Sequence, residues 1–481
     1  MTSNIDAVVS RQAHWIGGVW RAPRGDARIC VRDPATEEAI GSVPGASAED
    51  VDDAVEAAAR ALPAWRSMPL EERLDLLVEL CDVIDADRAE LAEIVVSEVG
   101  APVAIAEAAH VGIAIDIARS FVDVAREFPI EERVGRSMLL REPVGVVGCI
   151  TPWNLPLILV AQKLPAALAA GCTVILKPSE LTPYGALRLA ECTERAGFPP
   201  GVVNVVTGDG PTAGEALVSH PKVDKISFTG STRAGRRIAA LASQTVKRLG
   251  LELGGKSANL VLEDGDLERA VETGVHQATF NAGQSCIAWS RILVSERQHA
   301  AATELAAAAM SALSVGDPRD PNTQIGPLVS SAARDRVQGY VRSGVAQGAK
   351  VAAGGPERPD GLERGYYVRP TVLSHVSAEM TVAREEIFGP VVCVIPYRDE
   401  EEAVEIANQT DYGLHGAVWS RDEERAVAVA RRIRTGMLNV NGYDFDPVAP
   451  FGGWKQSGIG RELGAEGLSA FFEIKVVQVC R

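Results

Sequence analysis

Cysteine pairs at metal or redox spacing are missing from this chain. Its eight cysteines (Cys30, Cys81, Cys149, Cys172, Cys192, Cys286, Cys393 and Cys480) are scattered, with no CxxC and no Cys/His cluster. That argues against a structural zinc site, any other metal centre and a disulfide framework, and it points to a reducing, intracellular setting. Basic clusters are missing too. Lys and Arg number 48 against 64 Asp and Glu, a net charge of -16. A nucleic-acid partner needs a basic surface that releases counterions, so none is expected; the acidity serves solubility. The longest apolar stretch, Leu155 to Leu176, is interrupted by Gln162, Lys163 and two prolines, and it fails as a membrane span. Met1-Thr-Ser-Asn-Ile-Asp6 has neither a basic n-region nor an apolar h-region. No signal peptide is read, and the expected location is the cytoplasm.

What is present is a long, glycine-rich chain of 481 residues, 46% hydrophobic, with 45 glycines. That length allows two or three domains with sizeable cores. From about residue 144, strand and helix patterns alternate. Val144 to Ile150, Thr173 to Lys177, Val202 to Val206 and Lys225 to Phe228 are short apolar runs. Between them, Pro156–Ala170, Pro183–Ala196 and Thr212–Ser219 read as helices, and another starts at Thr232. This is the signature of right-handed βαβ units on a parallel sheet. The Ala-rich segment 49–120 reads as helices packed on that sheet. A second series runs from about 259 to 440, with strands near Ile292, Val351, Val391, Val418 and Leu438. Arg133–Glu142 and Phe472–Val479 look like a hairpin or edge element, whose apolarity calls for a partner subunit.

Two segments at the junction of the halves carry reactive groups. Cys286 ends Asn281-Ala-Gly-Gln-Ser-Cys286, and Glu252 opens Glu252-Leu-Gly-Gly-Lys256. Glycine lets backbone approach an electrophile, a thiol makes thioesters, and a carboxylate activates the water that cleaves them. A free thiol is mostly protonated at neutral pH, so it needs a positive environment or a base. No histidine lies in these segments; His276, ten residues before Cys286, reads as structural. A carboxylate base remains. Phe228-Thr-Gly-Ser-Thr-Arg-Ala-Gly235 follows a strand and opens a helix, a geometry that aims backbone N–H groups at a diphosphate. Its GxxxxG spacing is not the usual dinucleotide fingerprint, and a tight turn with Ser231 as helix N-cap reads as well. Lys177-Pro-Ser-Glu180 sits at the carboxyl end of a parallel strand, where ribose hydroxyls could be bracketed, or where a plain surface turn would stand. Together the two favour a dinucleotide.

Thr151-Pro-Trp-Asn154, Lys177-Pro-Ser-Glu180, Phe228-Thr-Gly-Ser231, Glu252-Leu-Gly-Gly-Lys256, Asn281-Ala-Gly-Gln-Ser-Cys286, Glu386-Ile-Phe-Gly-Pro390 and Pro450-Phe-Gly-Gly-Trp-Lys-Gln-Ser-Gly458 occur in that order. In this order and across essentially the whole chain, the sequence resembles the aldehyde dehydrogenase superfamily. The resemblance implies an α/β fold: two doubly wound domains and a small β oligomerisation flap. The nucleotide-binding domain would take 1–124 and 144–254, the catalytic domain 255–456, and the flap and C-terminal segment 125–143 and 457–481. It implies Cys286 as nucleophile, with Asn154 and the Cys286 N–H holding the oxyanion, donors typically worth about 3 kcal/mol each. It gives Glu252 the activation of water, and Lys163 and Glu462 proton transfer around that glutamate. Cofactor contacts are implied at Ile150, Trp153, Lys177, Glu180, Gly210, Phe228, Thr229, Gly230, Ser231, Leu253, Glu386 and Phe388. The other seven cysteines read as buried small hydrophobes, and Trp454 as packing.

Glu180 selects the cofactor within this resemblance. A carboxylate accepts hydrogen bonds from ribose hydroxyls and repels a 2′-phosphate, so NAD is expected, with NADP use possible beside Lys177. The substrate pocket falls to Leu155, Leu159, Gln162, Ile287, Tyr443, Phe445 and Phe451. Leu155, Leu159 and Gln162 stand where the family often carries bulky aromatics, and Asp444 and Asp446 make the loop before Pro450 acidic. An uncharged aliphatic or aromatic aldehyde is therefore expected, with a homo-oligomer, dimer or tetramer, as the assembly. The alternatives are a CoA-acylating relative, which needs no water-activating Glu252, a thioester-forming acyltransferase without redox chemistry, and a catalytically silent binding or structural relative.

Overall fold

A computed structural model describes residues 11–478. The N-terminal hexapeptide, Val479 and Cys480 lie outside the described residues. Two mixed sheets dominate. The first has eight strands, and its five central ones, in the order Val203–Val205, Thr173–Lys177, Val146–Ile150, Lys225–Thr229 and Arg248–Glu252, are all parallel. Antiparallel strands flank them, His14–Ile16 with Val19–Arg21 on one side and Gly458–Ile459 on the other. Every residue of Thr173–Lys177, Val146–Ile150 and Lys225–Thr229 is buried, because helices cover both faces. The parallel strands start in the middle, at Val146–Ile150, and wind out both ways. The switch point therefore falls between Ile150 and Thr229, and such crevices are where open α/β sheets bind ligands.

The second sheet has seven strands, in the order Lys350–Ala353, Thr371–Ser374, Val391–Tyr397, Arg291–Ser295, Ala258–Val261, Gly416–Trp419 and Asn439–Val440. All pairs but the first are parallel. The chain leaves the carboxyl edge of the first sheet at Glu252 and enters the amino edge of the second at Ala258. Cys286 lies just ahead of the neighbouring strand, whose Arg291 is in register with Ala258. The expected junction thus brings the ends of two sheets together.

Of the helices Ala48–Ser67, Leu70–Ala86, Arg88–Val99 and Ala114–Glu127, expected to pack on the first sheet, the first does so, and the other three pack on the helices Pro156–Ala161, Leu164–Ala170 and Tyr184–Arg195 instead. The first is started by a capping box, Ser47 accepting from the Asp50 N–H while Asp50 accepts from the Ser47 N–H, and its Ala58 carbonyl accepts from the Thr173 hydroxyl at 3.1 Å. Glu131–Val134, Ser137–Pro143 and Phe472–Gln478 form a separate three-stranded antiparallel sheet. The two segments read as a hairpin or edge element calling for a partner subunit pair with each other within the chain, and the outer strand leaves Ile474 and Val476 more than half exposed.

Several local expectations need correction. The helix expected over Pro156–Ala170 is two, Pro156–Ala161 and Leu164–Ala170. Pro165 has no N–H to donate and its ring crowds the carbonyl four residues earlier, so the helix breaks at Gln162-Lys163. The helix expected over Thr212–Ser219 opens earlier, with a wide π turn at Gly210–Gly214 capped by Asp209. Cys30 is exposed rather than buried. It lies on the two-stranded ribbon Arg28–Arg32/Ala39–Pro44, where alternation turns Val31 inward. Trp454 is 45% exposed rather than packed, since it pairs by backbone with Gly413 and its ring faces out.

Candidate active site

The segment bearing Cys286 is built on strained backbone. Asn281, Ala282 and Gly283 follow one another in left-handed conformation, with φ of 52°, 56° and 72°. For residues with a Cβ that conformation costs roughly 1–2 kcal/mol each. A Cβ on Gly283 would stand 2.2 Å from the carbonyl carbon and oxygen of Gly389, so only glycine allows the two backbones to meet. Amide side chains then tie the loop down. Asn281 Nδ2 donates to the Asn154 carbonyl at 2.8 Å, Asn154 Nδ2 donates to the Gln284 carbonyl at 2.9 Å, and Gln284 Nε2 donates to the Asn281 carbonyl at 3.1 Å. Val329 N–H donates to Gln284 Oε1 at 2.9 Å. Asn154 is thereby held against the thiol's own segment. Asn281 and Gln284 were visible in the sequence as part of the Cys286 motif, but nothing in their spacing disclosed this role.

The Gly254-Gly255 turn closes on the same loop from the other sheet. A Cβ on Gly255 would lie 2.1 Å from the Cys286 carbonyl oxygen. Gly255 N–H donates to Glu386 Oε1 at 2.8 Å, and Ser457 Oγ donates to the Gly254 carbonyl at 2.6 Å. The thiol itself is pushed up to about 12, first by burial and then by the nearby charges of Glu386 and Glu252, against its own and Ile287's backbone N–H groups. The positive environment considered for the thiol is not what surrounds it: its charged neighbours are carboxylates. A carboxylate base remains the available activator. His276 is exposed on the helix Leu267–Thr279.

Glu252 ends its strand nearly buried, and neither carboxylate oxygen has a hydrogen-bond partner among the described residues. Burial raises its pKa well above the usual range. Glu462 raises it further, and Lys163 and Arg461 partly offset this. Gly452, at φ +146°, leaves the space the carboxylate occupies; a Cβ there would be 2.6 Å from Glu252 Oε1. Behind it, Lys163 Nζ donates to Glu462 Oε1 at 2.5 Å and to Thr229 Oγ1 at 2.6 Å, and Ser227 Oγ donates to the same Glu462 oxygen at 3.2 Å. Lys163 reaches that site because the break before Pro165 turns its fully buried side chain inward. Phe451 and Glu462 exchange backbone hydrogen bonds, which places Glu462 beside Glu252.

The expected cofactor residues other than Glu386 and Phe388, which precede the second sheet's Val391–Tyr397, lie along the carboxyl edge of the first sheet. Lys177 Nζ donates to the carbonyls of Pro178 and Gly208, and burial lowers it to about 8 against the pull of Glu180 and Asp209. Ser231 caps the helix Thr232–Ala242, accepting from the Ala234 N–H, so the N-cap reading and the anion-site reading describe one turn. Gly235 packs so closely on Leu253 that a Cβ would lie 2.6 Å away, bringing the helix N-terminus against the strand end. Gly210 faces open space. Ile150 and Phe228 are buried at the switch point, and Gly230 N–H donates to the Glu252 carbonyl. Thr229 is turned inward to Lys163, with its hydroxyl engaged there. Trp153 meets Phe388 edge-on at 5.4 Å, joining the two sheets' segments across the crevice.

On the substrate side, Leu155, Leu159 and Phe451 are buried, and Cys286, Ile287 and Phe445 pack on the same apolar cluster. Tyr443 lies close enough for the thiol to bear on its hydroxyl, and its ring meets Trp289 edge-on at 5.8 Å. Gln162 is buried with Oε1 unpartnered among the described residues. Asp444 and Asp446 are exposed. No group of three or more metal-ligating side chains occurs among the described residues.

A half-buried thiol, an amide at its flank and the Glu252 carboxyl group come together where the ends of the two sheets meet. Residues 20–477 match the model of the aldehyde dehydrogenase family, and the chain belongs to that family. A relative from a Pseudomonas species, 3-succinoylsemialdehyde-pyridine dehydrogenase, is 47% identical over 96% of this chain and 97% of its own. The fold is similar to aldehyde dehydrogenase C of Pseudomonas syringae, solved as a cysteine-to-alanine variant with NAD+ and octanal: TM-score 0.97, 44% identity, 98% of this chain and 97% of that one. It is also similar to the Mycobacterium tuberculosis aldehyde dehydrogenase complexed with NAD+, at TM-score 0.96 and 42% identity over 98% and 99% of the two chains.

Proposed function

We propose that this chain oxidises an uncharged aldehyde to the carboxylic acid with NAD+, through a thioester on Cys286 that water, activated by Glu252, hydrolyses. The observation that carries the reading is the convergence on Cys286 of Asn154 from one sheet and the Glu252–Gly255 turn from its carboxyl edge. The residues at the first sheet's edge fit a dinucleotide: an eleven-residue helix presents its N-terminus there, Gly210 is open, and Trp153 with Phe388 forms a wall. Lys177 and Glu180 suit ribose hydroxyls, and Glu386 with Phe388 the nicotinamide side. NAD+, when bound, accepts the hydride.

The steps fall to the chain's own groups. Cys286 Sγ adds to the aldehyde carbon, its proton passing to a base. The Asn154 amide and the Cys286 N–H stabilise the developing oxyanion, donors typically worth about 3 kcal/mol each. Loss of hydride from the tetrahedral carbon leaves the thioester. Glu252 takes a proton from water, the hydroxide adds to the thioester carbonyl, and the carbon–sulfur bond breaks to give the acid and the thiol. The Lys163–Glu462 pair gives Glu252 a charged outlet for that proton.

Domain boundaries at 1–124 with 144–254, 255–456, and 125–143 with 457–481 suit the two sheets and the flap. The exposed apolar Ile474 and Val476 suit a homo-oligomeric contact. An uncharged substrate suits a cleft whose ionisable groups near the thiol are the carboxyls of Glu386 and Glu252, which offer an anion no counter-charge. The octanal bound by the Pseudomonas syringae protein and the uncharged pyridyl ketone in the name of the Pseudomonas relative agree with it.

Stopped-flow mixing with NAD+ and an aldehyde panel tests the reading. NADH should form with octanal and benzaldehyde, Cys286→Ala should abolish it, and Glu252→Gln should spare the first turnover while slowing later ones. NADH formation by the Cys286 variant would overturn the mechanism, and strong selectivity for succinate semialdehyde would overturn the substrate class. NAD+ should be favoured over NADP+ by at least roughly tenfold in kcat/KM, the effect of about 1.4 kcal/mol.

A further inference from the structure

Glu252 and Glu462 share a small cavity with a lysine that the sequence shows only as part of a strand. Lys225, Ser227, Gly250 and Arg461 line it beside the two carboxyls, and its wall continues outward to exposed Ile459. Lys225 and Ser227 are two positions apart on the strand Lys225–Thr229, so their side chains leave the same face of the sheet. Ser227 Oγ donates to Glu462 Oε1 at 3.2 Å. The neighbouring strand sets Gly250 in register with Ser227. A Cβ on Gly250 would stand 3.6 Å from Lys225 Nζ and 3.8 Å from Ser227 Oγ. The bare face of this glycine therefore keeps a space that both polar groups reach. Glu462 Oε2 and both Glu252 oxygens are buried without a partner among the described residues. A cavity lined by that many polar groups is one that holds water in a protein interior.

Each hydrolysis leaves a proton on Glu252 that must reach solvent before the next. Lys163 holds Glu462 from behind and is wholly buried, so that pair alone ends inside the protein. Lys225 is nearly buried too, with its Nζ 5.0 Å over the Phe471 ring, but it stands on the side of the cavity that leads outward. Burial lowers its ammonium from the usual lysine range, and Glu462 is the leading opposing charge. A lysine so placed gives up its proton more readily than one at the surface. We propose that Lys225 is the outlet for the proton of hydrolysis. The proton passes from Glu252 to Glu462, then over Ser227 and water on the face of Gly250 to the neutral Lys225 amine, and the ammonium so formed releases a proton to solvent beside Ile459. Lys225 touches neither aldehyde nor cofactor and acts through Glu462. This rests on the reading of Glu252 as the base. A lysine that only balances the charge of Glu462 makes a different forecast. Arginine would then serve as well, although it never gives up its proton.

Rapid mixing of the full-length enzyme with NAD+ and octanal in weak buffer, with a pH-indicator dye, follows NADH and proton release together. Lys225→Met should keep the NADH burst within twofold of wild type. Its proton release and its kcat should both fall at least fivefold. Lys225→Arg should be as slow as Lys225→Met. Added imidazole, a small proton carrier, should return kcat of Lys225→Met to within twofold of wild type and leave wild type unchanged. Proton release and kcat within twofold of wild type in either variant, or no recovery with imidazole, overturns the proposal. Should Lys225→Met fail to fold, Gly250→Ala carries the test, since its Cβ meets only ordinary contacts and fills the face along which the proton travels. Its burst should stay within twofold and its kcat fall at least fivefold; an unchanged kcat overturns the proposal. Absence of a wild-type burst, or a Glu252→Gln variant that turns over as fast as wild type, defeats the underlying reading instead. Turnover that depends on Glu252 but is indifferent to residues 225 and 250 defeats only this proposal.

Discussion

Replacing Gly255 with alanine tests how tightly the two sheets are joined at the thiol. The added Cβ would stand 2.1 Å from the Cys286 carbonyl oxygen and 3.3 Å from Leu414 Cβ. The nearer clash is with main chain, which has no rotamer to escape into. Restoring ordinary contact requires the Glu252–Lys256 turn and the Cys286 loop to separate by about 1 Å, and a displacement of that size can cost about 100-fold in rate. Overpacking of a filled interior costs about 1–3 kcal/mol in stability, an amount a chain of this size can survive. Gly255→Ala should therefore fold, melt some degrees below wild type, and show an NADH burst roughly 100-fold slower. Gly339 is the control. It lies in the helix Ser331–Ala346 with nothing near its missing Cβ, so Gly339→Ala should match wild type in rate and gain roughly 0.5–1 kcal/mol in stability. A Gly255→Ala burst within threefold of the Gly339→Ala burst would refute the claim that this contact sets the reacting geometry.

Lys163→Met removes the ammonium hydrogen-bonded to buried Glu462, and stranding such a partner costs roughly 3–5 kcal/mol. The chemical unfolding midpoint should drop accordingly, and the double variant with Glu462→Leu should recover much of the loss. Glu98 is fully buried, accepts the N–H groups of Tyr184 and Gly185, and is raised by burial to about 8. Between the usual glutamate range and about 8 the folded chain binds a proton the unfolded chain has released, so stability falls as pH rises through that window. Glu98→Gln should flatten that part of the stability profile, and an unchanged slope by denaturant titration at stepped pH would count against it. Glu252, raised well above its ordinary range, must lose its proton to act as a base. Steady-state kcat should climb from neutral to alkaline pH where hydrolysis limits, and single-turnover hydrolysis of the acyl-enzyme in Glu252→Gln should be slow and show no such rise.

How much of this was legible beforehand depends on whether the cause is local. The parallel strands Val146–Ile150 and Thr173–Lys177 announce themselves as runs of apolar, mostly β-branched residues, and the turns Glu252–Lys256 and Phe228–Ser231 by their glycines. Cys286, Glu252 and Asn154 stand out because few side chains carry nucleophilic, basic or amide chemistry in glycine-bearing loops. The break at Gln162-Lys163 was available from Pro165, yet helical periodicity on both sides hid it. The outward faces of Cys30 and Trp454 depend on which ribbon or bridge each joins, and composition says nothing of that.

The sequence by itself determined the alternation of strand and helix, the order of the motifs and the reactive groups, because hydrophobic period, glycine and proline act over a few residues. The tertiary structure decided that Glu252 sits among Glu462 and Lys163 and that the thiol's charged neighbours are carboxylates. In the chain Glu252 stands 210 positions from Glu462 and 89 from Lys163. Charge, burial and hydrogen-bond partnership are properties of the space between elements, and that space exists only once the two sheets meet edge to edge.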